Sequence, residues 1–429
     1  MHRARGEVHR KERCEEHQLR GEPDDGAYCH QVRSIVLSWS CKSGHGRIIP
    51  DFSPFLVMSG LLREGMAGES DHAKDRISAM EQLDISWGQV IAQLADHEDL
   101  TAAQARWSMG QILGDLADKE TIKSFLLGIQ AKGESAQEVE ALVEVMYEHS
   151  APISIPGRAV DLVGTGGDGA NTINISTTAA IIAHAAGARV IKHGARAASS
   201  KSGAADLLEA LGVNIDLNGE EVASCVAELG IGFCFAPKFH PAMRFAAPAR
   251  KELGQASVFN ILGPLANPAR PQAVAIGVSK SRVMPIMADV LRQRGAEGFL
   301  FRGDDGIDEI TLSTTTEIMQ IHGGSFHLES FDPRELGISL APIEALAGGD
   351  AEFNAAITLR IFEGEKSPAR DAVLLNAGAA LAAYKGDFRR SITEQINDGY
   401  QLASAAIDSG AARESLKKWA LFTQGFKSA

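Results

Sequence analysis

Residues 161–177 read DLVGTGGDGANTINIST. An apolar run, AVDLV, feeds a loop rich in glycine, so the segment reads as a strand end followed by a tight turn. Gly164, Gly166 and Gly169 spell G-x-G-x-x-G, the fingerprint of a dinucleotide-binding turn. That fingerprint makes two further demands. Its helix opens at the glycines, whereas here the polar residues 170–174 intervene before a helix expected near Ser176 and Thr177. Its second strand ends in an acidic residue about 20 positions on, which holds a ribose hydroxyl. Here that strand ends in Lys192 and His193, and the first acidic residue after Asp168 is Asp206. A nicotinamide or flavin cofactor is therefore not expected.

The composition is that of an ordinary globular enzyme. With 429 residues, 45% hydrophobic and 23% charged, the chain is long enough for a substantial core and two domains. A formal net charge of -13 argues against nucleic acid or an anionic membrane as the main partner, though not against a local basic pocket. Five cysteines without C-x-x-C spacing point to a reducing compartment and no disulfide framework. The most apolar run, residues 179–191, is interrupted by His184 and Arg189, too polar for a membrane helix of roughly 18 residues. A cytoplasmic enzyme is expected.

Residues 1–79 differ from the rest. They hold three of the five cysteines, Cys14, Cys29 and Cys41, and their apolar runs (SIVLSW, FSPFLVMSGLL) lack a sustained period. His9, Cys14, His17, Cys29 and His30 are too irregularly spaced to read as a metal site. No signal or transit peptide is recognisable. The segment is expected to be a poorly ordered extension, with the enzyme proper starting near Met80.

From there the periodicity turns helical. Trp87, Val90, Ile91 and Leu94 mark one face. Thr101 with Gln104 forms a capping box ahead of Met109, Ile112, Leu113 and Leu116; Phe125, Leu126 and Ile129 continue; Ser135 with Glu138 opens a fourth helix. After Pro156, strand-like runs (AVDLV, ARVIKH, GIGFCFA, AVAIGV, GFLFRG) alternate with helical segments. The pattern predicts an α/β fold: a small N-terminal helical domain and a large domain with a mostly parallel sheet, its ligand at the carboxyl edge.

The glycine loop sits at that edge and suits phosphate. Gly164, Gly166, Gly167 and Gly169 let backbone N–H groups converge, and Thr172, Asn174, Ser176 and Thr177 add donors at a helix N-terminus. A second loop, KHGARAASSKSGAAD, follows the next strand with Lys192, His193, Arg196 and Lys201 as cations and Ser199, Ser200 and Ser202 as donors. Two such loops suggest a ligand with phosphate at two ends. GDDGIDEITLS adds Asp304, Asp305, Asp308 and Glu309; beside phosphate loops, adjacent carboxylates favour magnesium over a merely solvated turn.

GTGGDGANTINIST, KHGARAASS, SKSGAADLLEALGV, FAPKFHPAMRFAAPARKELG, FNILGPLANP and GDDGIDE, in this order, closely resemble the anthranilate phosphoribosyltransferase family of tryptophan biosynthesis. The likeness runs from the helices near residue 80 almost to the C-terminus and leaves residues 1–79 outside. It implies a homodimer with a helical domain of residues 80–150 joined by about 240–265. A large α/β domain of residues 151–239 and 266–429 would bind phosphoribosyl pyrophosphate, with the active site in the hinge cleft.

Position by position, the resemblance implies that Gly164, Gly167, Asp168, Thr172, Asn174, Ile175, Ser176 and Thr177 bind phosphoribosyl pyrophosphate. Lys192, His193, Gly194, Ala195, Arg196, Ala197, Ala198, Ser199, Ser200 and Ala204 would complete that site. Ser176, Asp308 and Glu309 would handle Mg2+. Gly164 and Arg250 would meet anthranilate, Arg250 gripping its carboxylate in bidentate fashion. His240 has two readings: a wall of the same tunnel, or a buried histidine satisfied by its neighbours. One departure stands out. The family's second loop reads K-H-G-N-R, and its asparagine contacts the aromatic substrate; this chain has Ala195 there. Either other groups orient anthranilate, or the acceptor differs, or the activity is low.

The implied reaction displaces pyrophosphate from the anomeric carbon by a weakly basic aromatic amine. Catalysis then rests on neutralising the leaving group and positioning the partners, with no strong general base. Pyrimidine-nucleoside phosphorylases share a similar fold and a K-H loop, but the full GTGGDGANT run and the Asp308-Glu309 pair speak against them. A nucleic-acid-binding relative is opposed by the net charge.

Overall fold

The computed structural model describes residues 85–197 and 200–428. The expected extension, with its histidines and cysteines, lies outside the described residues, as do Ala198 and Ser199.

Four capped helices open the chain: α1 (Trp87–Ala95), α2 (Ala102–Leu113), α3 (Lys119–Lys132) and α4 (Ala136–Glu148). Ser86 with Gln89, Thr101 with Gln104 and Ser135 with Glu138 form reciprocal capping boxes, and Asp118 caps α3. Val90, Leu94, Met109, Ile112, Phe125, Leu126, Ile129, Val139 and Leu142 fill the space between them. Leu116 does not belong to that face as the sequence suggested. Helix α2 stops at Gly114, Asp115 turns left-handed at φ 59°, and Leu116 is left 69% exposed.

Strands and helices then alternate through β1 (Val160–Gly164), α5 (Ile175–Ala185), β2 (Val190–Gly194), α6 (Ala204–Ala210), α7 (Gly219–Leu229) and β3 (Ile231–Phe235). Three short helices follow, α8 (Ala236–Phe239), α9 (Ala247–Leu253) and α10 (Val258–Leu265), and then β4 (Ala273–Gly277), α11 (Met284–Gln293) and β5 (Glu297–Gly303). The hairpin β6 (Thr316–His322) and β7 (Ser325–Phe331) precedes four closing helices: α12 (Ala351–Phe362), α13 (Pro368–Lys385), α14 (Ile392–Asp408) and α15 (Ala411–Gly425). The sheet runs β3-β2-β1-β4-β5-β6-β7, parallel through β5 and antiparallel beyond it. Among the described residues, no helix is long and apolar enough to cross a membrane.

Side-chain alternation puts a core on each face of the sheet. Ala273, Ala275, Phe299 and Phe301 pack with α5 and the apolar helix α13. Val274, Ile276 and Leu300 point the other way, into one cluster with the four opening helices, α9, α10 and α11. Strands covered on both faces must be apolar throughout, and all five residues of β4 are buried. Polar chemistry is thereby displaced to the strand ends.

Candidate active site

Strands β1 and β4 pair in register and both end in glycine, Gly164 opposite Gly277. The loop after β5 leans into the space those glycines leave. A Cβ on Gly164 would come within 2.2 Å of the Asp308 carboxylate, and one on Gly277 within 1.6 Å of the Asp308 carbonyl oxygen. The Gly166 backbone N–H donates to the Asp308 carboxylate at 2.6 Å. Gly166, Gly167 and Gly169 have φ of 67°, 80° and 76°, a left-handed turn that glycine adopts at low steric cost. Ser176 opens α5, so the positive end of that helix faces the same place.

Asp308 and Glu309 are each 8% exposed. Burial and the neighbouring Asp168 push the Asp308 carboxyl up to about 7. Burial and Asp308 push Glu309 well above the usual carboxylate range, while Lys192 and the Ser176 backbone amide pull the other way. Lys192 is itself buried, its pKa lowered by desolvation and supported by Asp161 and Glu309. Its ammonium donates to the Leu162 carbonyl at 2.5 Å, bridging β2 to β1. The cluster thus holds several crowded carboxylates against one buried lysine.

Asp161 is the member that sequence reading did not single out as functional. Its carboxylate accepts from the His193 backbone at 3.2 Å and from Asn267 Nδ2 at 2.8 Å; Asn267 Nδ2 also donates to the Ile191 carbonyl at 2.8 Å. Desolvation lifts it to about 6 against the pull of Lys192. The signal was a charge inside the apolar run AVDLV; Asn267, over a hundred residues away in the chain, gave none.

The second loop is arranged differently from its charge pattern. Arg196 does not stand free for phosphate: it pairs with Asp206 at 2.9 Å and Glu209 at 2.5 Å. Asp206 also accepts the Ala197 and Gly203 backbone N–H groups, fixing the loop against the start of α6 at Ala204. Ser200 and Lys201 are exposed. Asn174 ties the two loops together, accepting from Ser202 Oγ and Asn354 Nδ2 and donating to the Ser202 carbonyl. Thr172 forms a bridge with Ala347, while Ile175 and Thr177 are buried in the packing of α5.

On the acceptor side, Arg250 projects from α9 with its guanidinium over the Phe259 ring at 5.0 Å. Desolvation lowers its pKa, and it has no ion pair among the described residues. His240 is buried, and its Nε2 donates to the Ala266 carbonyl at 2.8 Å, the geometry of a satisfied core histidine. It meets His193 edge to face at 5.2 Å. His193 Nδ1 donates to the Gly263 carbonyl at 3.1 Å, leaving Nε2 bare and without a partner. Burial, His240 and Lys192 hold this imidazole neutral, down at about 3. Ala195 is exposed at the end of β2. A cleft beside Gly166 is lined by Thr165, Asn260, Ser279, Gln130 and Arg282; Arg282 pairs with Glu134 at 2.5 Å across it.

The donor set fits magnesium. Among the described residues no three His, Cys, Asp or Glu side chains form a closed metal cage, and magnesium rarely needs one. It takes one or two carboxylates and completes its shell with water and phosphate. Buried, mutually repelling Asp308 and Glu309 beside the glycine loop would supply that half of a shell.

Comparison with known proteins agrees with this architecture. A glycosyl transferase family helical bundle domain matches residues 88–150, and a glycosyl transferase family a/b domain matches residues 156–413. The chain is 49% identical over 340 residues to anthranilate phosphoribosyltransferase of Rhodococcus jostii, covering 79% of this chain and 94% of that one. It is 49% identical over 339 residues to the Nocardioides enzyme, covering 79% and 99%. The solved anthranilate phosphoribosyltransferase of Thermus thermophilus superposes with a TM-score of 0.72 at 38% identity, over 78% of this chain and 99% of that one. The Saccharomyces cerevisiae enzyme in complex with PRPP and Mg gives 0.73 at 26% identity, over 80% and 99%. At 49% identity over four fifths of its length, and matching the family's a/b domain across residues 156–413, the chain belongs to the anthranilate phosphoribosyltransferase family.

Proposed function

We propose that the strand-end cluster is where this enzyme holds phosphoribosyl pyrophosphate and Mg2+. The reaction is the transfer of the phosphoribosyl group from 5-phosphoribosyl 1-pyrophosphate to anthranilate, releasing pyrophosphate, in tryptophan biosynthesis. The observation that carries the site assignment is the surplus of buried carboxylate, Asp308 turned toward the glycine loop and Glu309 toward the Ser176 amide at the start of α5.

In this reading Gly164 and the loop amides from Gly167 to Gly169, with Asp168, Thr172, Ser176 and the second loop through Ser200, receive the donor's phosphates. Asp308, Glu309 and Ser176 hold the cation, which supplies positive charge to the departing pyrophosphate. Lys192 adds a fixed ammonium under the same loops and, buried, needs no reorganisation when charge develops. Arg250 orients anthranilate through its carboxylate, and its stacking on Phe259 keeps the guanidinium plane fixed. The amine attacks the anomeric carbon as the C–O bond to pyrophosphate breaks, and its proton passes to solvent or to released pyrophosphate.

Further proposals follow from the same resemblance. Residues 80–150 with about 240–265 form the small domain and residues 151–239 with 266–429 the large one; α9 and α10 pack with the opening helices in a cluster that also takes in one face of β4 and β5. The cleft at Gly166 closes as a hinge, the enzyme works as a homodimer, and it acts in the cytoplasm. The relatives' names set aside the pyrimidine-nucleoside phosphorylase and nucleic-acid-binding alternatives. The deciding experiment is loss of anthranilate fluorescence on adding phosphoribosyl pyrophosphate and Mg2+; no loss with active relatives run in parallel overturns the reading.

A further inference from the structure

The loop that carries Asp308 and Glu309 is gripped from behind by a side chain that the reaction above does not use. Asn376 lies in the middle of α13, fully buried among Val373, Ala377, Ala379 and Ala380. Its Oδ1 accepts the Ile310 backbone N–H at 3.0 Å, and its Nδ2 donates to the Ile310 carbonyl at 3.1 Å. The remaining N–H goes to the Ala372 carbonyl at 2.9 Å, one turn back in the helix. An amide used this way serves both backbone groups of one residue, as a neighbouring strand would. Ile310 is 0% exposed, so without Asn376 both groups would be buried and unpaired.

Other contacts pin the loop elsewhere. The Gly166 N–H holds the Asp308 carboxylate, and Thr311 Oγ1 donates to Asp305 at 2.6 Å. Asn376 acts on the residue directly after Glu309. Two carboxylates buried side by side repel each other, and a loop free to move would relax by swinging one of them into water. A clamp on the adjoining peptide blocks that escape.

We propose that Asn376 is a positioning residue for the divalent cation: by fixing the Ile310 peptide it keeps Asp308 and Glu309 aimed at the glycine loop before the metal arrives. The inference rests on the reading of Asp308 and Glu309 as magnesium ligands. It gives a role to a polar side chain fully buried among apolar neighbours, where a hydrophobic residue would pack more simply.

The test is Asn376→Ala in the full-length enzyme. In metal-free protein, hydrogen exchange should quicken in peptides covering residues 304–312 while β1 and β2 keep their protection. The Mg2+ concentration for half-maximal activity should rise roughly tenfold, with the anthranilate KM staying within about twofold. Asn376→Asp, isosteric and still able to accept the Ile310 N–H, should fall between wild type and alanine and supplies the measurement if the alanine variant does not fold. Unchanged exchange with unchanged Mg2+ dependence, or an equal loss toward Mg2+ and anthranilate, overturns the proposal. Wild-type activity indifferent to Mg2+ would instead overturn the ligand assignment itself, which keeps the two failures apart.

Discussion

The Gly166 backbone N–H reaches the Asp308 carboxylate at 2.6 Å, so the glycine loop and the acidic loop, 142 positions apart, are held as one piece at the mouth of the sheet. An amide spent on a carboxylate in this way is available to a phosphate once the carboxylate turns to a cation. The proposed donor site would then be organised around charge that is redistributed on binding.

Asp308→Ala combined with Glu309→Ala should remove most of the magnesium-dependent activity, by about a hundredfold or more, without lowering the melting temperature of the metal-free protein. Both carboxyls are raised by burial and crowding, so deleting them relieves repulsion. Magnesium titrations alongside thermal melts check this, and a double variant with wild-type magnesium dependence refutes the ligand assignment.

Arg250→Ala should raise the anthranilate KM by roughly ten- to a hundredfold, the worth of one charge-assisted carboxylate contact. The phosphoribosyl pyrophosphate KM should move little. Equal effects on both constants would make Arg250 a packing partner of Phe259 and nothing more.

Ala195→Asn should raise kcat/KM for anthranilate by roughly two- to tenfold, the value of a single neutral hydrogen bond. Ala195 is exposed at the end of β2, so the larger side chain can be accommodated. A variant that gains nothing on anthranilate and loses activity on another aromatic amine would mean that alanine was selected to admit that acceptor.

Asp161 and His193 predict a pH signature. Burial raises the Asp161 carboxyl to about 6 and, with His240 and Lys192, lowers the His193 imidazole to about 3. Between roughly pH 4 and 6 the folded chain keeps a proton on Asp161 that the unfolded chain has released, so this group makes stability fall as pH rises. Between roughly pH 3 and 6.5 the unfolded chain binds a proton at His193 that the folded chain refuses, so that group makes stability rise. Asp161→Asn deletes the first slope and leaves the second. Stability of the variant should climb more steeply from pH 4 to 6 than that of wild type, by on the order of 2 kcal/mol across the window. Urea melts at three pH values decide it; parallel dependences would show that Asp161 keeps an ordinary carboxyl.

Much of this was legible from local pattern. Helix starts at Thr101 and Ser135 followed from their capping partners three residues on, and β1 to β5 from short apolar runs bounded by turns. The β6–β7 hairpin went unread although Gly323 and Gly324, both at positive φ, sit between its strands: polar residues alternating along Thr316–His322 and Ser325–Phe331 dilute the apolar signal. Arg196 looked like a phosphate cation because charge is visible in sequence and its cancellation by Asp206 and Glu209 is not. Asn174 looked like a free donor, yet its Nδ2 already donates to the Ser202 carbonyl while Ser202 and Asn354 donate to its Oδ1. Long-range partners such as Asn267 and Asn376 leave no local trace at all.

The two strand-end glycines carry an evolutionary consequence. A methyl group at Gly277 would collide with the Asp308 backbone, so even the smallest side chain there requires the loop after β5 to be rebuilt in the same step, whereas at Gly164 it would displace the Asp308 carboxylate. Positions in separate parts of the gene are thus coupled, and a change at one calls for a compensating change at another. Ala195, exposed and without such a neighbour, is under no comparable lock. Selection can explore new acceptors at that edge one residue at a time while the donor machinery is inherited as an indivisible block.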